Sequence, residues 1–394
     1  MTSFPSPAMR AALAGLFAMA AAMGVGRFVY TPVLPHMIAE GALTPSEAGL
    51  VAGSNFLGYL LGALAASNSV FAPRRRTWLF LALATSVATT ALMALAGSLP
   101  VMLALRFLSG VASAFSMIFI TALVLAKLAE DRRPGLIALH FGGVGIGIAG
   151  SAALVSVLSA YHTSWPQLWV AAGLAALFCW LAMRFLLPET TAETRRDPKN
   201  ASSGGSVTPA LALFIAGYGF FGFGYVITAT FINAMARAEP VLAPVEPWVW
   251  MIVGISGVPS VWLWNRLAAR TSITFAYLVA CLVEAVGVCL SVVVVSPYAL
   301  AISAILLGGT FMAVTALGLA RARAMAPQNA AAVIAFMTAA FGLGQMIGPV
   351  LAGYLFDHTG NLVAASLCAT VALLAAAALT MLAQRVKGAE KATG

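Results

Sequence analysis

Polar residues in this chain come in short clusters, and the apolar runs between them are too long for the core helices of a soluble domain. The runs fall near residues 10–38, 46–71, 77–97, 100–127, 135–160, 165–187, 209–236, 247–268, 273–295, 298–320, 329–356 and 362–386. A helix rises about 1.5 Å per residue and needs about 20 apolar residues to cross the hydrocarbon layer. Each run therefore predicts one spanning helix, twelve in all. The breaks are short, with one exception. Residues 188–207 read PETTAETRRDPKNASSGGSV, a polar, glycine- and serine-rich linker. The pattern predicts an all-α membrane protein: a six-helix bundle over 1–187, a linker over 188–208 and a second six-helix bundle over 209–394.

Composition agrees. Of 394 residues, 61% are hydrophobic and 8% charged, against roughly 25% charged in soluble domains. The net charge of +9 does not mark a nucleic-acid partner, because the basic residues sit in short loops between apolar runs. Arg10 opens one long unbroken span without a small-residue cleavage pattern, so the first segment is expected to stay as a helix. Cys179, Cys281, Cys289 and Cys368 all lie inside apolar runs, with no CxxC spacing. Neither a metal site nor a disulfide framework is expected, and no cofactor.

Charge also predicts orientation. One side receives nearly all the loop arginines and lysines, among them Arg74, Arg75, Arg76, Lys127, Arg132, Arg133, Arg195, Arg196, Lys199, Arg266, Arg270 and Arg385. The other receives only Arg237, and carries Glu40, Glu47, Glu239, Glu246 and Asp357. The positive-inside rule places both termini and the linker in the cytoplasm, with the chain in a bacterial inner membrane. Three charged residues remain inside helices: Arg27, Arg106 and Glu284.

The two halves resemble each other. At an offset of 198 residues, Gly24-Val25-Gly26-Arg27 meets Gly222-Phe223-Gly224-Tyr225, and Met37 meets Met235. At an offset of 199, Gly143 and Gly145 of helix 5 meet Gly342 and Gly344 of helix 11. Parallel six-helix repeats are a signature of secondary transporters.

Twelve helices split in two, Arg106-Phe-Leu-Ser-Gly110 on helix 4 and Gly344-Gln-Met-Ile-Gly348-Pro349 on helix 11 resemble the major facilitator superfamily. The superfamily's signature between helices 2 and 3 is reduced to Arg74-Arg75-Arg76, without the aspartate of its charge-pair latch. GVGRFVYTPVLPHM on helix 1 and GFGYVITATFINAM on helix 7 resemble the YbfB/YjiJ-type branch. The resemblance implies a transporter in which helices 1 and 4 line a central cavity and helices 3, 6, 9 and 12 are peripheral.

Against that frame the unusual residues become candidates. An arginine inside a spanning helix costs about 3 kcal/mol on insertion scales, so it marks a functional site unless a structural partner explains it. Arg27 and Arg106 are candidate contacts to an anionic substrate through bidentate geometry; the structural alternative is that they bind backbone carbonyls opened by Pro32, Pro35 and the glycines. Tyr30 and Thr31 share the Arg27 face. Tyr225, Thr228 and, beyond them, Asn233 form the matching stripe on helix 7. Asn55 on helix 2, paired with Tyr59, and Gln345 on helix 11 complete the substrate candidates. Helix–helix hydrogen bonding is the competing role for all of these. Glu284, mid-helix, and His140, near the cytoplasmic end of helix 5, are candidate proton carriers. The glycine runs 142–150 and 342–353 predict close, sliding helix seams and not phosphate loops. Trp248 and Trp250 are expected at the outer interface, Trp262 and Trp264 nearer the inner one.

The expected function is alternating-access secondary transport of a small organic anion, coupled to a proton or substrate gradient. The alternative is proton-antiport efflux of a neutral or cationic compound such as a sugar or drug. An intramembrane enzyme would need a tight nucleophile or metal constellation, and the four histidines are scattered. A passive channel would need a ring of identical filter residues. The expected partners are the small molecule, protons and the bilayer, with the chain a monomer.

Overall fold

The computed structural model describes residues 6–188 and 207–393. The described residues are helical, without a strand, and contain twelve helices long and apolar enough to cross a membrane. They are α1 (Pro7–Ala39), α2 (Pro45–Ala66), α3 (Arg75–Leu95), α4 (Leu99–Glu130), α5 (Ile137–Ser159) and α6 (Trp165–Leu186). Then follow α7 (Pro209–Ala238), α8 (Ala243–Arg270), α9 (Ile273–Val293), α10 (Pro297–Met325), α11 (Ala332–Thr359) and α12 (Val363–Lys387). The predicted linker, with Arg195, Arg196 and Lys199, lies outside the described residues except at its ends.

Local chemistry sets the helix starts. α1, α2, α7 and α10 each begin at a Ser/Thr-Pro pair: Ser6-Pro7, Thr44-Pro45, Thr208-Pro209 and Ser296-Pro297. The hydroxyl residue sits at the N-cap, where proline at the next position loses no helical hydrogen bond. At α2 a capping box closes the turn: Thr44 accepts from the Glu47 amide at 3.2 Å, and Glu47 accepts from the Thr44 amide at 2.8 Å.

One expectation is corrected. The first segment is not one regular helix. It is α-helical over Pro7–Met19, π-helical over Ala20–Val25, and α-helical again over Tyr30–Ala39. Gly26 N–H reaches back five residues to the Ala21 carbonyl at 2.8 Å, as in a π-bulge. Pro32 and Pro35 lack N–H donors, so the ladder past the bulge is incomplete. Thr31 N–H turns to the Phe28 carbonyl at 3.2 Å and leaves that of Arg27.

α1 and α7 lie side by side at the centre. α2 packs on α11 and α5 on α8, and these two seams join the first six helices to the last six. Glycine permits both. A methyl on Gly145 would stand 2.6 Å from the Gly254 carbonyl oxygen, and one on Gly49 or Gly353 would collide with the Pro349 or Pro45 carbonyl. The glycine runs are thus divided between seams: Gly143 and Gly344 face α1 and α7 within their own six helices, while Gly145 and Gly353 face the opposite six.

The tryptophan expectation also needs correcting. Trp248 and Trp262 are exposed, as belt residues are. Trp250 is fully buried, with its ring centroid 6.2 Å from that of Phe28. Trp264 donates to the Gly309 carbonyl at 2.7 Å. Below, the "termini side" is the side where α1 begins and α12 ends, and the "far side" is the opposite one.

Candidate central binding site

A cavity of about 190 Å³ lies on the termini side of Arg27, between the first six and the last six helices. Its wall is mainly apolar. Met19, Met23, Met117 and Met312 contribute flexible thioethers, and Phe28, Phe141, Phe311 and Phe341 contribute rings. Arg27 is the one charged side chain among its lining residues; Tyr59, Tyr225, Thr315 and Gln345 supply the remaining side-chain polar atoms.

Arg27 is 4% exposed. The π-bulge and the turn after it carry its side chain out of the α-helical register of the segment and toward α2 and α11. Its guanidinium lies over the rings of Tyr59 at 4.0 Å, Phe56 at 4.7 Å and Phe28 at 5.5 Å. Such stacking stabilises a desolvated cation by about 2 kcal/mol or more. Arg27 Nη2 donates to Gln345 Oε1 at 3.0 Å, and Gln345 Nε2 donates in turn to the Tyr225 hydroxyl. Arg27 Nε has no hydrogen-bond partner among the described residues. Arg27 and Tyr225 occupy equivalent positions of the repeat, so Gln345 of α11 bridges two symmetry-related sites across the molecule. On the other wall Tyr225 stacks almost parallel to Phe341 (5.8 Å, 8°) and Phe311 (5.8 Å, 14°).

Arg106 is handled differently. Its Nη1 donates to the Gly26 carbonyl at 2.9 Å and its Nη2 to the Arg27 carbonyl at 2.8 Å. Ser109 also donates to Gly26, at 3.0 Å. The RxxxG arginine thus fills the carbonyls that the break in α1 leaves open, and Tyr30 and Trp169 cover it at 5.1 and 5.8 Å. It does not line the central cavity. With Arg27 it borders a space of about 10 Å³ beside α7. No ion pair reaches either arginine among the described residues.

The sequence profile described as "Uncharacterised MFS-type transporter YbfB" matches residues 19–381. The chain belongs to that family of the major facilitator superfamily. Two solved structures share its architecture. A structure titled as a point mutant of the nucleoside transporter NupG has a TM-score of 0.76 at 14% identity, covering 96% of this chain and 99% of that one. One titled nucleoside transporter NupG has a TM-score of 0.73 at 15% identity, covering 97% and 99%. At such identities the likeness is one of fold. No curated protein sequence matches. The protein is a secondary transporter of the YbfB type, a multi-pass membrane protein and not an enzyme.

The other sequence candidates of this YbfB-type transporter fall into separate places. Arg27, Tyr225 and Gln345 meet at the cavity. Tyr30 donates to the Ala48 carbonyl at 2.9 Å and Thr31 to the Ala229 carbonyl at 2.7 Å, on the far side of Arg27. Thr31 and Ala229 are themselves repeat equivalents. Asn55 donates to the Arg106 carbonyl at 2.9 Å, away from the cavity. Thr228 is buried with its hydroxyl unpartnered among the described residues. Asn233 turns to Glu246, reaching its carbonyl at 3.0 Å and Oε1 at 3.3 Å. Glu284 is buried in α9, both carboxyl oxygens unpartnered among the described residues, and does not reach the cavity. His140 Nε2 stands 3.1 Å from Thr121 Oγ1, again outside the cavity.

Tyr59, named in the sequence beside Asn55, is at the cavity under Arg27, whereas sequence reading missed Phe56 and the aromatic wall of Phe311 and Phe341. No periodicity separates a cavity-lining phenylalanine from a lipid-facing one in a helix that is apolar all round.

Proposed function

We propose that this transporter carries a small monoanion with an apolar or aromatic body, and that Arg27 holds the anionic group. One observation carries the reading: a buried guanidinium at the edge of an apolar cavity, without a carboxylate among the described residues to balance it. A substrate carboxylate would accept from Arg27 Nη2 and the unpartnered Nε in parallel, the bidentate arrangement that favours arginine over lysine. To do so it displaces the Gln345 amide oxygen. The freed Gln345 then has to find the substrate, so binding rewrites a bridge between α1 and α11. The methionines and the Tyr225–Phe311–Phe341 stack take up the apolar body. Arg106 holds the break in α1 and so positions Arg27. With both termini in the cytoplasm, the first six and last six helices, joined by the 188–208 linker, rock along the α2–α11 and α5–α8 seams to expose the site alternately.

A cationic drug does not suit a cavity whose charged lining residue is Arg27. A second reading is an uncharged planar solute: the stacked rings offer a base-sized surface, and the solved structures of the same fold are titled nucleoside transporters. The test is a thermal-shift screen of purified protein against aromatic and aliphatic carboxylates and nucleosides, with Arg27→Gln as control. Stabilisation of the parent by carboxylates, weakened about tenfold or more in affinity in the variant, supports the anion site. Carboxylates that stabilise both proteins equally, or nucleosides that do so while carboxylates do nothing, overturn it.

A further inference from the structure

Far from the central cavity, a second polar centre joins the first six helices to the last six. His36 Nε2, near the far-side end of α1, lies 2.9 Å from Arg237 Nη2 of α7 and 3.0 Å from Ser159 Oγ of α5. Arg237 Nη2 also meets Glu246 Oε2 of α8 at 3.1 Å. Asn233, one turn before Arg237, holds the same carboxylate at 3.3 Å. Beside them lies a polar space of about 230 Å³, lined by His36, Ser156, Ser159, Asn233, Arg237 and Glu246. His36 and Arg237 are only half-buried, so water and protons reach the cluster.

The hydrogen-bond chemistry fixes the state of His36. A guanidinium only donates. The contact with Arg237 therefore uses the lone pair on Nε2, and the imidazole is neutral with its proton on Nδ1. Ser159 has one hydroxyl proton, placed between His36 Nε2 at 3.0 Å and the Val155 carbonyl at 2.7 Å. A proton on Nε2 removes the acceptor and sets two cations side by side. The groups that face His36 from the packed elements are Arg237 on α7, Glu246 on α8 behind that guanidinium, and the uncharged Ser159 on α5. On its own helix Glu40 is turned away, accepting from the Trp165 amide at 3.0 Å. The carboxylate is thus already engaged by Arg237 and Asn233, and the near neighbour of an added proton is a positive charge.

We propose that His36 is a proton-binding site that gates the far-side seam: neutral it ties α1 to α7, and protonated it releases them. The sign follows directly. The far-side-closed state is favoured while His36 is neutral, and opening is favoured as pH falls. A proton taken from the far-side solution thereby promotes exposure of the site to that same solution. The gate stands apart from the anion reading, since nothing in it involves Arg27.

The test places spin labels at Tyr161→Cys and Val241→Cys, exposed far-side positions on opposite halves, with the four native cysteines replaced. Their distance is read in reconstituted protein from about pH 7.5 to about pH 4, from above the ordinary histidine range to well below it. The parent is expected to gain a longer-distance population on acidification. His36→Gln, which keeps an acceptor for Arg237 but does not titrate, should stay closed throughout. Arg237→Gln leaves protonated His36 facing Glu246, so acid should now tighten the seam. A parent distance that ignores pH, a His36→Gln protein that opens like the parent, or an Arg237→Gln protein that does so, overturns the proposal.

Discussion

Arg27 and Arg106 carry the same charge in the same membrane layer and do different work. Arg106 reaches two backbone carbonyls and leaves the cavity alone; Arg27 stacks on rings and keeps part of its fork free. Substitution should separate them. A buried hydrogen bond to a charged group contributes about 1.5–3 kcal/mol, so Arg106→Ala should lower thermal stability by several degrees with or without ligand. Arg27→Ala loses its ring stacking and one glutamine contact but also removes a buried, unpaired cation, so it should shift the melting temperature less while abolishing ligand stabilisation. Thermal melts of both variants, with and without an aromatic carboxylate, check this; equal destabilisation by the two would be the wrong outcome. Glu284 and His140 can be judged in the same way. If either carries the coupling proton, Glu284→Gln or His140→Asn will keep substrate exchange in proteoliposomes but lose the response to an imposed pH gradient. If both variants respond like the parent, neither is the carrier.

At the level of helices, much was readable from sequence because a membrane leaves few choices. Apolar run length gave the twelve spans within a few residues, while the Ser/Thr-Pro pairs at several starts were a signal left unused. The break in α1 was read only as an alternative, carbonyls opened by Pro32, Pro35 and the glycines, and Arg106 is the arginine that takes them. Whether such a span kinks, bulges or stays straight depends on which donor takes the freed carbonyls, and that donor sits on α4, some 80 residues away. The repeat offset was more informative than its weak identities suggested. It pairs Thr31 with Ala229 and Arg27 with Tyr225, which lie beside each other in the structure. Arg237, the lone basic residue on the acidic side, was the available signal for the far-side cluster. The seams give an element-scale prediction. A methyl at Gly353 meets the Pro45 carbonyl in the far-side-closed state. Gly353→Ala should therefore raise labelling of a Ser46→Cys reporter by a membrane-impermeant maleimide, relative to the same reporter with Gly353 intact. Unchanged labelling would mean that the seam tolerates the methyl.

Seen whole, the molecule is tied shut on one side. Thr31 to Ala229, Arg237 to His36, Ser156 to the Pro247 carbonyl at 2.6 Å and the Ser46 amide to Asp357 at 3.1 Å all join the first six helices to the last six on the far side of Arg27. The Asp357 contact sets a carboxylate at the N-terminus of α2, where the helix dipole favours it. The cavity lies on the termini side of these ties. This asymmetry has a pharmacological consequence. A carboxylate with a body too large to be enclosed would enter from the termini side, engage Arg27 and hold the far side closed. Offered from the far side, it would meet only the tied seam. With the termini in the cytoplasm, as proposed above, such a compound should block transport in inside-out vesicles at concentrations that leave right-side-out vesicles active, and equal potency in both would count against the far-side ties holding in the resting protein. The hydrogen bonds that close one face of this protein would then determine from which compartment it can be inhibited.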